Sequence, residues 1–133
     1  MSKCKIVLAD DHVLVRQGIK KIIEEHEPLQ VIGEAGDGLE LLEVMKKVSP
    51  DLVILDISMP RLRGLEAAAR IKQLYPGVKV LILSMHRNKE YLRQALASGV
   101  DGYLLKEDAD LALYSAIATI CAGGSFISPL LDA

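Results

Sequence analysis

The sequence contains no apolar run long enough to cross a membrane. Its aliphatic stretches are all short, whereas a spanning helix needs roughly 20 consecutive apolar residues. The start, MSKCKIVLADD, has neither the longer apolar region nor the small-residue cleavage site of a signal peptide. The net charge is only −2, which gives no indication of a general nucleic-acid or membrane surface. We therefore expect a cytoplasmic protein without membrane contact.

Cysteine is scarce as well. The two cysteines, Cys4 and Cys121, lie far apart and do not have the spacing of metal ligands. Cys4 opens an apolar run, and Cys121 closes a segment with helical periodicity. We interpret both as reduced residues that pack against their neighbours.

The rest of the composition indicates one globular domain. The chain has 133 residues, of which 50% are hydrophobic and 26% are charged, so it is long enough to bury one substantial core. Five apolar runs have the length of a strand: KIVLA (5–9), LQVIGEA (29–35), DLVILD (51–56), VKVLILS (78–84) and GYLLK (102–106). They are nearly continuous rather than alternating, which is typical of parallel strands that are covered on both faces.

Segments with helical periodicity separate the five runs. In one of them Leu41, Val44, Met45 and Val48 fall at positions i, i+3, i+4 and i+7, and glycines or prolines stand where the units should turn. The pattern predicts an α/β fold, a doubly wound five-stranded parallel sheet with helices on both faces. The strand order stays open. We assign residues 1–124 to the domain and residues 125–133, SFISPLLDA, to a C-terminal tail or the start of a linker.

The unusual residues of the sequence fall at the ends of the predicted strands. Asp10 and Asp11 follow the first, Asp56 ends the third, Ser84 ends the fourth and Lys106 ends the fifth. Because parallel strands end at the same edge of a sheet, where ligands of open α/β sheets bind, we expect these side chains to converge.

Three converging carboxylates repel one another unless a cation compensates them. Oxygen ligands favour Mg²⁺ or Mn²⁺ over zinc, and no His or Cys occupies these strand ends, which supports a hard metal. Lys106 and Ser84 offer a positive charge and a hydroxyl donor, the groups that a transferred phosphoryl group requires. Asp56 is the natural nucleophile, because carboxylates form aspartyl-phosphate intermediates.

Each of these residues also has a structural explanation when taken alone. An Asp-Asp pair before a helix is commonly an N-cap, a lysine after a strand is commonly solvated, and a serine there commonly begins a turn. The joint placement at one edge is what favours a site. Rival phosphate motifs such as GxxxxGK[ST] are absent from the sequence. Aspartate-nucleophile phosphatases usually carry a second Asp two residues after the nucleophile, where this chain has Ser58.

Four stretches of the sequence resemble the receiver (CheY-like, flavodoxin-like) domain of two-component response regulators. They are KIVLADDH (5–12), LDISMPRLRG (55–64), LILSMH (81–86) and GYLLK (102–106), so the resemblance covers nearly the whole chain. LADDHVLVRQGI, LSMH and AGGSFISP are similar to the NarL/FixJ-type subfamily, whose members usually carry a C-terminal helix-turn-helix domain. The resemblance implies that DNA is contacted only through such a domain, which is not present in these 133 residues.

The resemblance also implies a role for each site residue. Asp56 would accept a phosphoryl group from a phosphohistidine of a sensor histidine kinase. Asp11, Asp56 and the backbone carbonyl of Ser58 would ligate Mg²⁺ (or Mn²⁺), with Asp10 helping directly or through water. Lys106 would pair with Asp56 and then with the phosphoryl oxygens. Ser84 and Tyr103 would act as the switch that alters the output surface, and phosphorylation would favour a homodimer.

Two residues depart from the usual receiver pattern. Glu107 follows the lysine, where many receivers have a proline after a cis peptide bond, so we predict a trans bond here. Met85 is larger than the Ala or Thr often found after the switch serine and would narrow access to the phosphoryl site. With Ser58 and His86 it would influence the lifetime of the phosphate, although His86 is also interpreted as an ordinary surface residue.

The alternative functions are a pseudo-receiver that only binds proteins and a true phosphohydrolase.

Overall fold

Six strands and five α-helices alternate along the part of the chain that the computed structural model describes, residues 4–128. In chain order the elements are β1 (Cys4–Ala9), α1 (Val13–Glu24), β2 (Leu29–Ala35), α2 (Gly38–Met45), β3 (Leu52–Asp56), α3 (Gly64–Leu74), β4 (Lys79–Ser84), α4 (Lys89–Ala97), β5 (Gly102–Leu105), a short 3-10 helix (Lys106–Asp108), α5 (Ala109–Cys121) and β6 (Phe126–Ile127). The strand-length apolar runs of the sequence therefore became strands, with each boundary correct to within one residue. None of the helices in this part of the chain is long and apolar enough to cross a membrane.

All strands of the sheet run parallel, in the order β2-β1-β3-β4-β5-β6. The chain moves from β1 outward to β2 and then returns to the other side of β1 with β3. The strand order therefore reverses between β1 and β3, and a crevice at such a reversal is the usual ligand position in an open α/β sheet. The carboxyl ends of β1 and β3 carry the acids that the sequence singled out.

The sheet is buried on both faces. One core cluster lies between the sheet and helices α2, α3 and α4, and includes Val7, Leu41, Val53 and Ile71. The other lies between the sheet and helices α1 and α5, and includes Ile6, Leu8, Ile23, Leu113 and Ile117. Successive residues of β1 alternate between the two clusters, because side chains on a strand alternate between faces. The predicted doubly wound fold with helices on both faces is confirmed.

A sixth strand extends the predicted five-stranded sheet. Phe126 and Ile127 pair in parallel with Gly102 and Tyr103 of β5. Ser128 is buried, and its hydroxyl accepts a hydrogen bond from the backbone N–H of Leu105 at 2.9 Å. Part of the segment 125–133 therefore belongs to the sheet, and residues 129–133 lie outside the described residues. Sequence periodicity did not indicate β6 because two residues carry no pattern.

The interpretation of Cys4 and Cys121 as reduced residues was wrong. Cys4 begins β1 and Cys121 ends α5, and the structure joins them in a disulfide with 7.0 Å between their Cα atoms. The two residues are 117 positions apart in the sequence, so only the packing of α5 on the sheet brings them together. Cys4 is buried, as expected of a packing residue, whereas Cys121 is exposed.

Candidate functional site

Four side chains gather where β1 and β3 end. Ligand atoms of Asp10, Asp11, His12 and Asp56 all lie within 4.8 Å of one another. Asp10 is fully buried and Asp56 is 3% exposed, whereas the side chain of Asp11 is 29% exposed, so two of the three acids lie inside the protein and the third faces solvent in part. We refer to these four residues as the acidic cluster. The convergence of the three aspartates at one edge agrees with the expectation from their positions at strand ends.

Lys106 places a positive charge inside the acidic cluster. Its Nζ atom lies 3.0 Å from Oδ2 of Asp10 and 3.5 Å from Oδ1 of Asp56. The side chain is 15% exposed, so water screens these ion pairs less than it would on an open surface. The lysine therefore neutralises part of the charge of two buried acids.

Asp56 occupies a position where ionisation is unfavourable. Burial raises the pKa of its carboxyl above the ordinary value of 3.8, Lys106 opposes this effect, and the neighbouring charge of Asp10 adds to it. The backbone N–H of Ser58 donates a hydrogen bond to Oδ1 of Asp56 at 3.3 Å. The site therefore holds a carboxylate whose negative charge is only partly compensated by protein groups.

The loop between β3 and α3 is held closely against Asp56. A Cβ atom on Gly64 would lie 2.2 Å from the backbone oxygen of Asp56, so only glycine allows this approach. Arg61 has a φ of +65° and donates two hydrogen bonds to Oδ2 of Asp37, at 3.0 and 2.7 Å. Asp37 in turn caps helix α2 by accepting from the backbone N–H of Glu40, which lowers the pKa of the Asp37 carboxyl. The loop that carries Ser58 is thus fixed to α2.

Arg16 fixes the backbone of the acidic pair, and sequence reasoning did not find it. Its guanidinium donates to the carbonyl oxygens of Asp10 at 2.7 Å and Ala35 at 3.3 Å, and to Glu34 at 3.1 Å. These contacts tie the ends of β1 and β2 to helix α1. An arginine in a helix with a polar face gives no sequence signal of such a role.

The predicted switch residues Ser84 and Tyr103 are both buried next to the loop after β4. Oγ of Ser84 accepts a hydrogen bond from the backbone N–H of His86 at 2.9 Å. The hydroxyl of Tyr103 donates to the carbonyl oxygen of His86 at 3.0 Å, and burial raises the pKa of this tyrosine. Both side chains therefore hold the same segment of backbone, although they come from different strands.

His86 lies against the site rather than apart from it. Its ring stacks on Tyr91 with 4.3 Å between the ring centroids, and Nε2 lies 3.5 Å from Oγ of Ser58. Met85, by contrast, is 77% exposed. The influence of these residues on phosphate lifetime stays a prediction.

The residue after Lys106 makes a salt bridge to the loop after β4. Arg87 donates two hydrogen bonds to the carboxylate of Glu107, at 2.9 and 2.6 Å, and they lower the pKa of Glu107. Among residues 4–128 the cis peptide bond is Glu27–Pro28, so the predicted trans bond between Lys106 and Glu107 is confirmed.

The statement that no histidine joins the strand ends was wrong. His12 stands two residues after Asp10, and its Nδ1 atom lies 3.2 Å from Oδ1 of Asp11 and 3.5 Å from Oδ1 of Asp10. His12 lies beyond the strand end itself, and the turn into α1 brings its side chain back toward the acids.

The acidic cluster fits a divalent cation. Oδ1 of Asp11 is buried and accepts no hydrogen bond from the described residues, although Nδ1 of His12 lies 3.2 Å away, and such an unsatisfied oxygen suits a metal ligand. The cluster offers carboxylate oxygens from three residues, the donors that Mg²⁺ prefers. Its geometry can therefore bind a hard cation and an anionic group together, with Lys106 beside them.

Residues 6–118 match the model of a protein family described as the response regulator receiver domain. The chain belongs to this family. The receiver domain is similar over 96% of its length to the transcriptional regulatory protein DegU of Brevibacillus brevis, at 42% identity.

Two solved structures are also similar to this receiver domain. One is a two-component response regulator of the LuxR family from Aurantimonas sp. SI85-9A1, with 33% identity, a TM-score of 0.94 and coverage of 98% of this chain and 94% of that one. The other is the isolated REC domain of RcsB from Salmonella enterica serovar Typhimurium in the presence of the phosphomimetic BeF3−, with 29% identity, a TM-score of 0.92 and coverage of 98% and 97%. The chain spans about half the length of the curated relatives it matches, for example 54% of DegU.

Proposed function

We propose that this receiver domain is a phosphorylatable switch that accepts a phosphoryl group on Asp56 from a phosphohistidine of a sensor histidine kinase. The observation that carries the proposal is the position of Asp56 beside two other acids and Lys106, at the edge of the sheet where the strand order reverses. A structural role alone would not require three buried or half-buried acids at one place. The proposal agrees with membership of the receiver family.

The transfer step uses the carboxylate of Asp56 as the nucleophile. An Oδ atom of Asp56 attacks the phosphorus while the bond from phosphorus to the imidazole nitrogen of the phosphohistidine breaks. The electron pair of that bond returns to the imidazole, and Asp56 becomes an acyl phosphate. Lys106, which is 3.5 Å from Asp56, compensates the negative charge of the phosphoryl oxygens.

Asp11, Asp56 and the backbone carbonyl of Ser58 would hold Mg²⁺ (or Mn²⁺), with Asp10 acting directly or through water. When bound, the cation supplies positive charge that stabilises the phosphoryl oxygens. The buried Oδ1 atom of Asp11, which accepts no hydrogen bond among residues 4–128 and has Nδ1 of His12 3.2 Å away, supports this assignment. Lys106 already engages Oδ2 of Asp10, which leaves Asp11 as the freer of the two paired acids.

The switch would use the hydroxyls of Ser84 and Tyr103. Ser84 now accepts from the N–H of His86, and Tyr103 donates to the carbonyl of the same residue. A phosphoryl group on Asp56 would draw the Ser84 hydroxyl toward it, and Tyr103 would turn into the space left behind. The change would shift the surface formed by α4, β5 and α5 between two states.

The curated relative DegU is described as a transcriptional regulatory protein, and the chain covers about half of it. We extend the proposal to transcription control in the cytoplasm, through a DNA-binding C-terminal domain that lies outside these 133 residues. Phosphorylation would favour a homodimer of the receiver.

Incubation with Mg²⁺ and acetyl phosphate or phosphoramidate tests the proposal, with intact mass as the readout. We expect one phosphoryl adduct on the wild type, none on Asp56→Asn, and an unchanged adduct on Asp51→Asn. Asp51 is the matched control, because its carboxylate accepts from the N–H of Lys5 at the opposite edge of the sheet.

Failure to form an adduct with any phosphodonor would favour the pseudo-receiver, a module that only binds other proteins. Multiple-turnover release of phosphate from unrelated esters would favour a phosphohydrolase. Either result would contradict the proposal that this domain is a phosphorylatable switch.

A further inference from the structure

We propose that His12 is a nitrogen ligand to the divalent cation of the acidic cluster, which gives the site a higher affinity for transition metals than three carboxylates alone would. The inference rests on the cation site of the proposed function and adds a ligand to it. A ring nitrogen of His12 belongs to the same group of ligand atoms, all within 4.8 Å of one another, as the three acids.

The distances in the cluster agree with a shared metal ion. An octahedral shell with bonds of about 2.1 Å places neighbouring ligand atoms about 3.0 Å apart and opposite ones about 4.2 Å apart. Nδ1 of His12 is 3.2 Å from Oδ1 of Asp11 and 3.5 Å from Oδ1 of Asp10, close to the spacing of neighbouring ligands.

The backbone fixes the position of His12 beside the acids. His12 is the N-cap of α1 and has an extended backbone with φ of −92° and ψ of 104°. Its side chain makes no capping hydrogen bond, while its backbone N–H donates to Oδ1 of Asp10 at 2.9 Å. Arg16 holds the carbonyl of the same aspartate at 2.7 Å. The imidazole therefore makes no hydrogen bond to the helix end, and its Nδ1 atom lies 3.2 Å from Oδ1 of Asp11.

The alternative is a simple contact between an imidazole and two carboxylates. The side chain of His12 is 65% exposed, and exposed ion pairs contribute little to stability. If His12 only contacts the carboxylates, its substitution would leave the metal selectivity of the site unchanged. Imidazole, by contrast, is a preferred ligand of the later first-row metals, whereas Mg²⁺ prefers oxygen. Loss of a nitrogen ligand would therefore lower the affinity for the later metals more than the affinity for Mg²⁺.

Pulsed electron paramagnetic resonance of Mn²⁺ bound to the full chain detects a nitrogen ligand directly. We expect ¹⁴N modulation that changes when histidine alone is labelled with ¹⁵N, and that disappears in His12→Gln. His26→Gln is the matched control, because His26 stacks on Tyr114, away from the cluster, and should leave the signal intact. His86→Gln tests the histidine near Ser58 as the source of the nitrogen.

Calorimetric titration gives a second, independent readout. Mutation of a residue that only orients a metal ligand typically weakens metal affinity about 10–100-fold, so we expect loss of the ligand itself in His12→Gln to weaken Co²⁺ binding by at least about tenfold. The affinity for Mg²⁺ should change less than about twofold, since Mg²⁺ replaces the lost nitrogen with water. Circular dichroism would verify that each variant is folded.

The inference is overturned if the ¹⁴N signal is absent, if it survives in His12→Gln, or if Co²⁺ and Mg²⁺ affinities fall equally. Mn²⁺ binding and an acyl phosphate on Asp56 without a nitrogen signal would remove only the role of His12. Absence of Mn²⁺ binding to the wild type would show that the acidic cluster is not a cation site, and would contradict both the inference and the proposed function.

Discussion

Asp56 carries its charge at a position that favours the neutral acid. The residue is 3% exposed, and both burial and the adjacent Asp10 raise the pKa of its carboxyl, while Lys106 lowers it. A buried charge that is not fully compensated destabilises the folded state. The same uncompensated charge is what would draw a cation and a phosphoryl group into the site. Function and stability therefore oppose each other at this residue.

We predict that Asp56→Asn stabilises the protein in the absence of divalent cations. Because the folded state raises the pKa of Asp56 above 3.8, ionisation destabilises the fold, and this effect grows as pH rises from 3.8 through the raised pKa. The free energy of unfolding of Asp56→Asn should exceed that of the wild type by about 1 kcal/mol at neutral pH, an ordinary size for one substitution.

Urea denaturation in the presence of EDTA measures this difference. The advantage of the variant should shrink as the pH falls toward 3.8, because Asp56 then becomes neutral in the wild type as well. A wild type that is as stable as Asp56→Asn at neutral pH would contradict the description of Asp56 as a destabilising charge.

At the scale of elements, the loops that follow the strands determine the geometry of the site. The loop after β3 approaches Asp56 so closely that a Cβ on Gly64 would lie 2.2 Å from the Asp56 oxygen and 2.7 Å from Cα of Ile57. Both neighbours are backbone atoms and cannot rotate away. A side chain at this position must therefore move the loop that carries Ser58.

We predict that Gly64→Ala destabilises the protein and slows its phosphorylation. Overpacking costs about 1–3 kcal/mol, and a displacement of about 1 Å at a reacting group can slow a reaction about 100-fold. Urea denaturation and the time course of the phosphoryl adduct measure the two effects. Gly77→Ala is the matched control, because a Cβ there meets nothing within 4 Å, and its stability should change by less than about 0.5 kcal/mol. Equal behaviour of the two variants would argue against a tightly held loop.

The elements that have a clear pattern of apolar residues could be predicted from the sequence, and the elements and contacts without such a pattern could not. Nearly continuous apolar runs predicted β1 to β5, because strands buried on both faces are apolar throughout. The two-residue strand β6 is too short for any periodicity. His12 and Arg16 were missed as neighbours of Asp10, since their contacts depend on how the chain turns between β1 and α1.

At the scale of the whole molecule, a single topological property assembles the site. All strands are parallel and end at the same edge, so residues as distant in sequence as Asp10 and Lys106 come within 3.0 Å. The sequence predicted this convergence without the strand order. It did not predict the disulfide, because the meeting of Cys4 and Cys121 depends on how the end of α5 packs near the start of β1.

We predict that Mg²⁺ stabilises the whole domain and that its removal reverses the effect. A ligand that binds only the folded state adds about 2.7 kcal/mol to the free energy of unfolding at 100 times its dissociation constant. Thermal unfolding with Mg²⁺ and with EDTA measures the shift in Tm. Asp11→Asn should abolish most of the shift and Asp51→Asn should keep it. Equal shifts in both variants would place the cation outside the acidic cluster.

Chemical mapping of the modified residue tests the central claim most directly. Borohydride reduces an aspartyl phosphate to homoserine, and peptide mass spectrometry then locates the converted position. After treatment of the receiver with acetyl phosphate and Mg²⁺, we predict homoserine at position 56 and none in a sample without phosphodonor. Conversion at another acid of the cluster, or no conversion despite a stable phosphoryl adduct, would contradict the assignment of Asp56 as the phosphoryl acceptor.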